Sequence, residues 1–427
     1  MASNYIRKKP VTWILWILKW MSWIVDHIPF TTMRKKPTVD EICKEAQKQT
    51  GLSCFGDNPI WRGCLESYFD DLYEHKDSNH LSRFIVRKES TKRVVQRLRV
   101  LNAFKEYPQA LELELPSPIF VVGLPRTGST FLHQCLAQDS KAMTVPFWQW
   151  FDPVPPKEGE KDERLQKAIA KLNELKLSIP ILESIHLTEA EEADECYQGW
   201  IDFPYAANCF MDLVPNLEKT RNYFWDLDMT ELYKNEKSIL KLLLYQREDP
   251  FAYDYMMLKC PVHTIHMNHL YSVFPNSKLV WTHRDPKSVI CSEVGLYLVG
   301  CLAHTSSTVD MRLLGKKSLY FTQKILQRGL EQRRSLEEQG VKFVDFYYSD
   351  FILDPVKAIS NLYEQLNLEF TDETSENIRK YHQHSLDQRK HQKKPIKFTL
   401  DEIGLNASEI DKSFEYYYKQ FPKVNKK

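Results

Sequence analysis

The sequence predicts a three-layer α/β/α fold built around a mostly parallel β-sheet. Short apolar runs typical of buried strands alternate with longer amphipathic stretches typical of helices. The candidate strands lie at 119–122, 256–259, 278–282 and 342–347, and a glycine-containing loop directly follows the first of them. Strands that alternate with helices in this way form parallel sheets covered by helices on both faces.

Composition fits a large folded enzyme. The chain has 427 residues, which exceeds the roughly 250–300 residues of a usual single hydrophobic core. Its hydrophobic content of 43% and charged content of 27% are ordinary for a globular protein. A net charge of +1 gives no reason to expect a nucleic-acid partner. The nine cysteines include no C-x-x-C pair and favour a reducing setting over a disulfide scaffold.

The first predicted unit, 1–36, contains the apolar segment 11–26. On a helix, its few polar residues fall on one narrow face and its tryptophans crowd another. The segment is shorter than the about 20 residues of a spanning helix, and tryptophan prefers the membrane interface. We therefore expect a helix that lies in the membrane surface and makes the protein membrane-associated. A short spanning anchor and a helix packed on the protein core are the alternatives, and the side of the membrane (cytoplasmic, or the Golgi or ER lumen) stays open.

Two further units follow along the chain. Residues 37–115 have few glycines and no strand-like run, which predicts a helical N-terminal region. Residues 116–427 form the predicted main domain, with a helical insertion at about 157–255. Within the insertion, helices are expected at 164–177, 189–200 and 239–247.

The loop after the first strand, residues 123–130, reads GLPRTGST. A strand, a glycine loop and a helix N-terminus together make an anion cradle, because main-chain N–H groups and the helix dipole favour negative charge. The spacing makes the fold P-loop-like, but Ser129 stands where a loop that binds ATP or GTP requires lysine. Such a loop, with Arg126 inside it, suits a ligand whose 5′ end carries one phosphate and another anionic group.

A second anion site is predicted after the strand at 278–282. Arg284 stands at the C-terminal end of this strand, and Ser292 lies eight residues on, in the following helix. Ligands of open α/β sheets bind beyond the carboxyl ends of the strands. Arg284 and Ser292 are therefore candidates for gripping a second phosphate, one adenosine away from the first. A ligand that occupies both sites is expected to be a nucleotide phosphorylated at its 5′ and 3′ positions.

These motifs resemble the sulfotransferases that use 3′-phosphoadenosine 5′-phosphosulfate (PAPS). The resemblance rests on PRTGST at 125–130, the strand that ends at Lys259, the Arg284 corner and the segment FYYSDFILDP at 346–355. It is strongest to the branch with a Pro-Arg-(Ser/Thr)-Gly-(Ser/Thr)-Thr loop, which includes the tyrosylprotein sulfotransferases and many uncharacterised proteins. It extends from about residue 105 to about residue 421.

The resemblance implies that PAPS is the co-substrate and that no metal is required. Arg126 is expected to contact the transferring group, and Lys259 to neutralise the leaving phosphate oxygen. The implied donor-binding residues are Arg126, Thr127, Gly128, Ser129, Thr130, Arg284 and Ser292.

Three residues are candidates for the general base. The cytosolic branch of the family has histidine two residues after the equivalent lysine, where this chain has Pro261, and the nearest histidine is His263. The tyrosylprotein-like branch uses a glutamate from an earlier helix, and the triplet 194–196 resembles that segment. We therefore choose Glu195 as the base, with His263 and Glu192 as alternatives. A buried glutamate with a raised pKa can accept a proton near neutral pH.

The predicted function is transfer of a sulfuryl group from PAPS to a hydroxyl or amine by in-line displacement, which depends on positioning and charge stabilisation. The acceptor is a small molecule, a lipid or a carbohydrate, and the aromatic stretch 147–151 is either part of its pocket or ordinary core. The histidines at 263, 266 and 269 have no carboxylate or thiol at matching spacing, so no metal is assigned. A nucleotide kinase or NTPase with a degenerate loop and a non-catalytic membrane-associated scaffold are the alternatives. The oligomeric state stays open.

Overall fold

The computed structural model describes residues 35–74, 80–178, 188–203, 205–211, 217–304, 309–391 and 397–425. The membrane-surface helix expected at 11–26 lies outside these residues. No helix within the described ranges combines the length and the apolar character needed to cross a bilayer.

Helices build the region before the first strand, as predicted. They are α1 (Val39–Thr50), α2 (Ile60–Glu74), α3 (His80–Glu106) and α4 (Pro108–Glu112). Helix α1 begins with a capping box, in which Thr38 and Glu41 each accept a hydrogen bond from the other's main-chain N–H. A buried ion pair, with Arg97 Nη1 2.6 Å from Asp202 Oδ1, ties α3 to the rest of the protein.

A five-stranded parallel sheet forms the centre of the fold. Its strands are β1 (Ser117–Gly123), β2 (Ala142–Met143), β3 (Tyr255–Lys259), β4 (Lys278–His283) and β5 (Phe343–Tyr347). They are arranged in the order β2-β3-β1-β4-β5, so β1 is central. Val121 of β1 is paired with Lys259 of β3 on one side and Val280 of β4 on the other. The α/β class and the parallel sheet are therefore confirmed.

Both faces of the sheet are covered, which explains why β1 reads as a continuous apolar run. Phe120 and Val122 pack into the larger core cluster on one face. Ile119 and Val121 pack into a second cluster on the other face, together with the helix that follows the glycine loop. Because alternate side chains of β1 pack against opposite clusters, the fold has three layers, with the sheet between two layers of helices.

The remaining helices connect and flank the strands. They are α5 (Ser129–Leu136), α6 (Phe147–Phe151), α7 (Arg164–Ser178), α8 (Ala206–Phe210), α9 (Glu218–Trp225), α10 (Thr230–Tyr245), α11 (Met267–Val273), α12 (Pro286–His304), α13 (Met311–Glu338), α14 (Tyr348–Leu353), α15 (Pro355–Gln365), α16 (Asp372–His391), α17 (Ala407–Ser413) and α18 (Glu415–Gln420). Short 3₁₀ helices occupy Cys196–Gly199, Pro261–Ile265 and Pro422–Asn425.

The prediction of a helix at 189–200 is wrong. Instead of bonding to its own residues, this segment pairs with the stretch just before and inside α6. The Phe147 N–H donates to the Glu192 carbonyl at 3.0 Å, and the Asp194 N–H donates to the Val145 carbonyl at 3.1 Å. Only its last residues form a 3₁₀ turn, at Cys196–Gly199. Tertiary hydrogen bonds therefore override a local helical pattern.

Candidate active site

The glycine loop is held in a tight turn by conformation and packing. Gly128 has φ 82° and starts α5, and a Cβ at that position would come within 2.7 Å of the Tyr348 ring. Arg126 adopts φ 64°, which is uncommon for a residue with a side chain. Buried Thr127 donates through Oγ1 to the Leu124 carbonyl at 2.7 Å. The turn thereby presents the first N–H groups of α5 to an anion, because Gly128 supplies no side chain to cap them.

Two guanidinium groups meet beside this loop. Arg284 Nη1 donates to the Arg126 carbonyl at 2.7 Å, and Arg126 Nε donates to Ser292 Oγ at 2.8 Å. Burial, reinforced by the charge of Arg284, lowers the pKa of Arg126. Two close positive charges favour an anionic ligand. Arg126 and Arg284 therefore form one continuous positive surface beside the loop, and the two phosphate sites one adenosine apart stay a prediction.

Lys259, Thr130 and Glu195 meet at the carboxyl end of β3. Lys259 is 1% exposed, and its Nζ donates to Thr130 Oγ1 at 3.1 Å and to Glu195 Oε1 at 2.5 Å. A buried ammonium is costly unless it is paired, and both partners come from distant parts of the chain. The structure thus brings the predicted lysine, the loop hydroxyl and the first-choice base together.

The two acidic neighbours of Glu195 face other partners. Glu192 accepts hydrogen bonds from Gln134 Nε2 at 2.7 Å and from the Tyr381 hydroxyl at 2.9 Å, and burial raises its pKa. Asp194 accepts from the Glu195 N–H at 2.5 Å, and burial raises its pKa to about 7. Of these three carboxylates, Glu195 is the one that Lys259 contacts.

The structure does not bring His263 to this site. The side chain is fully buried, and its Nδ1 lies 3.0 Å from the Tyr233 hydroxyl. Burial lowers the pKa of His263 to about 3. Its neighbours Pro261 and Val262 line the cavity described below, but His263 points into the core against Phe120.

His263 instead belongs to a buried group of ligating side chains. Among the described residues, one set could hold a metal ion, namely Cys196, Glu236 and His263, whose ligand atoms lie within 4.8 Å of one another. Cys196 directly follows Glu195, and its thiol donates weakly to the Lys259 carbonyl at 3.8 Å. The group therefore lies under the active site rather than in it. Spacing along the chain does not reveal it, because the three residues come from three separate segments.

The site opens into a cavity of about 1010 Å³. Its polar end is formed by Arg126, Gly128, Ser129, Thr130, Glu195 and Arg284. Its other walls include the apolar residues Phe131, Phe147, Phe151, Leu172, Phe210, Val262 and Leu296. The aromatic stretch 147–151 is divided between the two roles considered for it, since Phe147 and Phe151 line the cavity and Trp150 is buried in the core.

Tyr348 is a site residue that the sequence reasoning missed. The Arg284 guanidinium carbon lies 4.2 Å from the centre of its ring, and the same ring packs on Gly128. Tyr348 also lines the cavity. A cation–π contact of this kind orients the guanidinium. The signal was present in the segment 346–355, which resembled the family without indicating which tyrosine faces the loop.

Glu293 lies beneath the positive surface, next to Ser292 on α12. Its Oε2 accepts hydrogen bonds from Ser318 Oγ at 2.7 Å and Thr322 Oγ1 at 2.9 Å. Burial raises the pKa of Glu293 to about 7, and the hydrogen bonds and the charge of Arg126 oppose this only in part. The carboxyl is therefore protonated in the folded protein at mildly acidic pH.

Glu293→Gln should remove one contribution to the pH dependence of folding stability. Between pH 4.5, the ordinary pKa, and about 7, the folded protein keeps the Glu293 proton while the unfolded chain releases it. Stability from this group therefore falls as pH rises through that window. Relative to the unaltered protein, we expect the unfolding free energy of the variant to rise by about 2 kcal/mol between pH 5 and pH 7. Urea unfolding at both pH values measures it, and an equal difference in the two proteins would contradict the assignment.

Comparison with known proteins agrees with this geometry. A model described as the sulfotransferase family matches residues 118–372, more than half of the chain. Two curated relatives, omega-hydroxy-beta-dihydromenaquinone-9 sulfotransferases of Mycobacterium bovis and Mycobacterium tuberculosis, are 27% identical over 266 residues. That match covers 59% of this chain and 63% of each relative, which is less than two thirds of their length.

Two solved structures share the fold. Sulfotransferase STF9 from Mycobacterium avium superposes with a TM-score of 0.75 at 24% identity, over 90% of this chain and 96% of that one. Sulfotransferase STF1 from Mycobacterium tuberculosis H37Rv has a TM-score of 0.73 at 23% identity, over 89% and 99%. With the family model, the glycine loop and the parallel sheet, these findings identify the chain as a member of the sulfotransferase family.

Proposed function

We propose that the protein transfers a sulfuryl group from PAPS to a hydroxyl or amine of a small-molecule or lipid acceptor. The observation that carries this proposal is Lys259, which bridges Thr130 of the glycine loop and Glu195 at the polar end of the cavity. An anion cradle, a buried ammonium and a carboxylate at one point suit sulfuryl transfer, since they provide positioning, charge stabilisation and a base.

The residues of the loop fit the donor. The uncapped start of α5 and the paired guanidinium groups of Arg126 and Arg284 favour a ligand with several negative charges. A side chain at Gly128 would meet the Tyr348 ring, so only glycine lets the loop pack this closely on Tyr348. In the proposal, PAPS supplies the sulfuryl group and a phosphate leaving group.

Each active-site side chain then has a role. Arg126 stabilises negative charge on the transferring group. Lys259 has three N–H groups, of which Thr130 and Glu195 engage two, so a third can stabilise charge on the leaving oxygen. Glu195 accepts the proton that the acceptor hydroxyl loses as its oxygen bonds to sulfur. His263 is the weaker candidate, because it faces the core.

The cavity supports an apolar acceptor. Its walls beyond the polar end combine charged residues with many aromatic and aliphatic ones, and its volume of about 1010 Å³ is at the upper end of the range for ligand pockets. The curated relatives act, by their names, on a hydroxylated menaquinone. A lipid alcohol is therefore the first acceptor class to test. Incubating the protein with radiolabelled PAPS and a lipid extract should yield a labelled lipid, and labelling of nothing in any extract would contradict the proposal.

Arg284→Ala should weaken binding of adenosine 3′,5′-bisphosphate by about 10- to 100-fold, the effect of losing one charge-assisted contact. Calorimetry measures this directly. Arg379→Ala is the matched control, because Arg379 is 60% exposed and does not line the cavity. Equal affinities of the Arg284→Ala variant and the unaltered protein would remove Arg284 from the donor site. Magnesium-dependent binding of ATP in place of the bisphosphate would favour a nucleotide kinase.

A further inference from the structure

Exposed apolar side chains border one side of the cavity mouth. Ile352 of α14 and Leu386 of α16 both line the cavity, and they are 60% and 39% exposed. Leu353, the next residue of α14, is 83% exposed. Single exposed apolar residues are ordinary on a protein surface, but a group of them at the entrance of a cavity marks an interaction site.

Exposed apolar side chains also occur on α3 and α7, two further helices that line the cavity. Leu177, near the end of α7, is 62% exposed and closely follows Leu175, which lines the cavity. On α3, Phe84 and Ile85 are 44% and 37% exposed, about one turn before the cavity-lining Glu89. Four of the helices that line the cavity, α3, α7, α14 and α16, therefore carry exposed apolar side chains close in sequence to lining residues.

The described chain begins close to α3. Lys35 Nζ lies 3.2 Å from Glu41 Oε1, and Glu41 Oε2 lies 3.7 Å from Arg87 Nη1. Arg87 is two residues from Glu89, so the chain enters its described part on the α3 side of the mouth. The sequence before Lys35 includes the amphipathic, tryptophan-rich stretch 11–26, whose composition favours a membrane interface.

We propose that the mouth of the cavity docks on a lipid bilayer, so that a membrane-borne acceptor enters the cavity without crossing water. This inference rests on the proposed sulfotransferase function. Moving a lipid into water costs about 0.8 kcal/mol for each exposed CH₂ group, and an apolar rim seated on the bilayer avoids that cost. Lys88 and Lys92 of α3 are exposed, Lys92 lines the cavity, and both side chains fit anionic headgroups.

The test compares three full-length proteins: the unaltered chain, the double variant Leu177→Glu/Leu353→Glu and the control Phe251→Glu. Leu177 and Leu353 do not line the cavity. Phe251 is 84% exposed and lies just before β3, at the end of the sheet opposite the active site. All three proteins keep residues 11–26, so a difference between them reports on the rim alone.

Two measurements distinguish an effect on membrane docking from an effect on catalysis. Co-sedimentation with vesicles of phosphatidylcholine and phosphatidylserine should show at least about 10-fold weaker binding of the double variant, since each glutamate replaces a leucine that would enter the bilayer. Sulfate transfer to a long prenyl alcohol in those vesicles should fall similarly, while transfer to a short water-soluble alcohol stays unchanged.

Equal vesicle binding by the double variant and the unaltered protein would overturn the proposal, and so would an equal loss in Phe251→Glu. If no protein sulfates either alcohol, the proposed function fails instead. The vesicle-binding result still decides whether the rim docks on a membrane.

Discussion

Glu195→Gln should lower kcat by about 10²- to 10⁴-fold, the usual contribution of a general base. Glutamine keeps an oxygen for the Lys259 hydrogen bond but cannot take up the proton of the acceptor hydroxyl. The affinity for adenosine 3′,5′-bisphosphate should therefore change little. Steady-state kinetics with the identified acceptor, together with calorimetry of the bisphosphate, measures both quantities.

Glu192→Gln is the matched control for this substitution. Glu192 lines the same cavity but bonds to Gln134 and Tyr381 instead of Lys259. We expect it to keep kcat within about 10-fold of the unaltered enzyme. If the large loss instead followed Glu192→Gln, the base would be Glu192, and an unchanged kcat in both variants would exclude a carboxylate base from this segment.

Lys259→Met should lower kcat by about 10²- to 10³-fold, the effect of removing one donor that stabilises developing charge. Methionine has a similar length and apolar stem, so the buried end of β3 stays packed. The ammonium is lost from between Thr130 and Glu195, where it contacts both. Binding of the bisphosphate should weaken by less than the loss in kcat, because the loop amides and Arg284 remain.

Lys278→Met provides the control for a lysine on the sheet. Lys278 starts β4 at the opposite end of the sheet, where its Nζ donates to the Leu366 carbonyl. Turnover of this variant should stay close to that of the unaltered enzyme, and circular dichroism checks that both variants are folded. A loss of kcat shared equally by the two variants would point to a general effect on the fold and would contradict a specific role of Lys259.

Local sequence patterns were enough to predict most of the fold. The four predicted strands are confirmed, because each is a short apolar run that ends at a polar or glycine signal. The two-residue strand β2 was not predicted, since Ala142–Met143 is too short to show any periodicity. The spacing of the acidic residues in 189–200 predicted a helix, but the main chain of this segment forms hydrogen bonds with residues 145–148 instead. The division of the chain into three units stays a prediction.

The candidate site also has some features that could be predicted from the sequence and others that could not. The glycine loop and the basic residues at strand ends could be predicted, since strand, turn and charge are local features. Tyr348 and the buried group of Cys196, Glu236 and His263 could not, because their meeting depends on how separate segments pack. For the same reason, spacing could not predict that Arg284 contacts the loop carbonyl of Arg126.

By itself, the sequence determined the parallel α/β architecture, the glycine loop and the family resemblance, all of which depend on short stretches of consecutive residues. Only the tertiary structure decided which carboxylate serves Lys259, because Thr130 and Glu195 lie 129 and 64 positions away from it along the chain. Contacts across such separations are set by the packing of whole helices and strands.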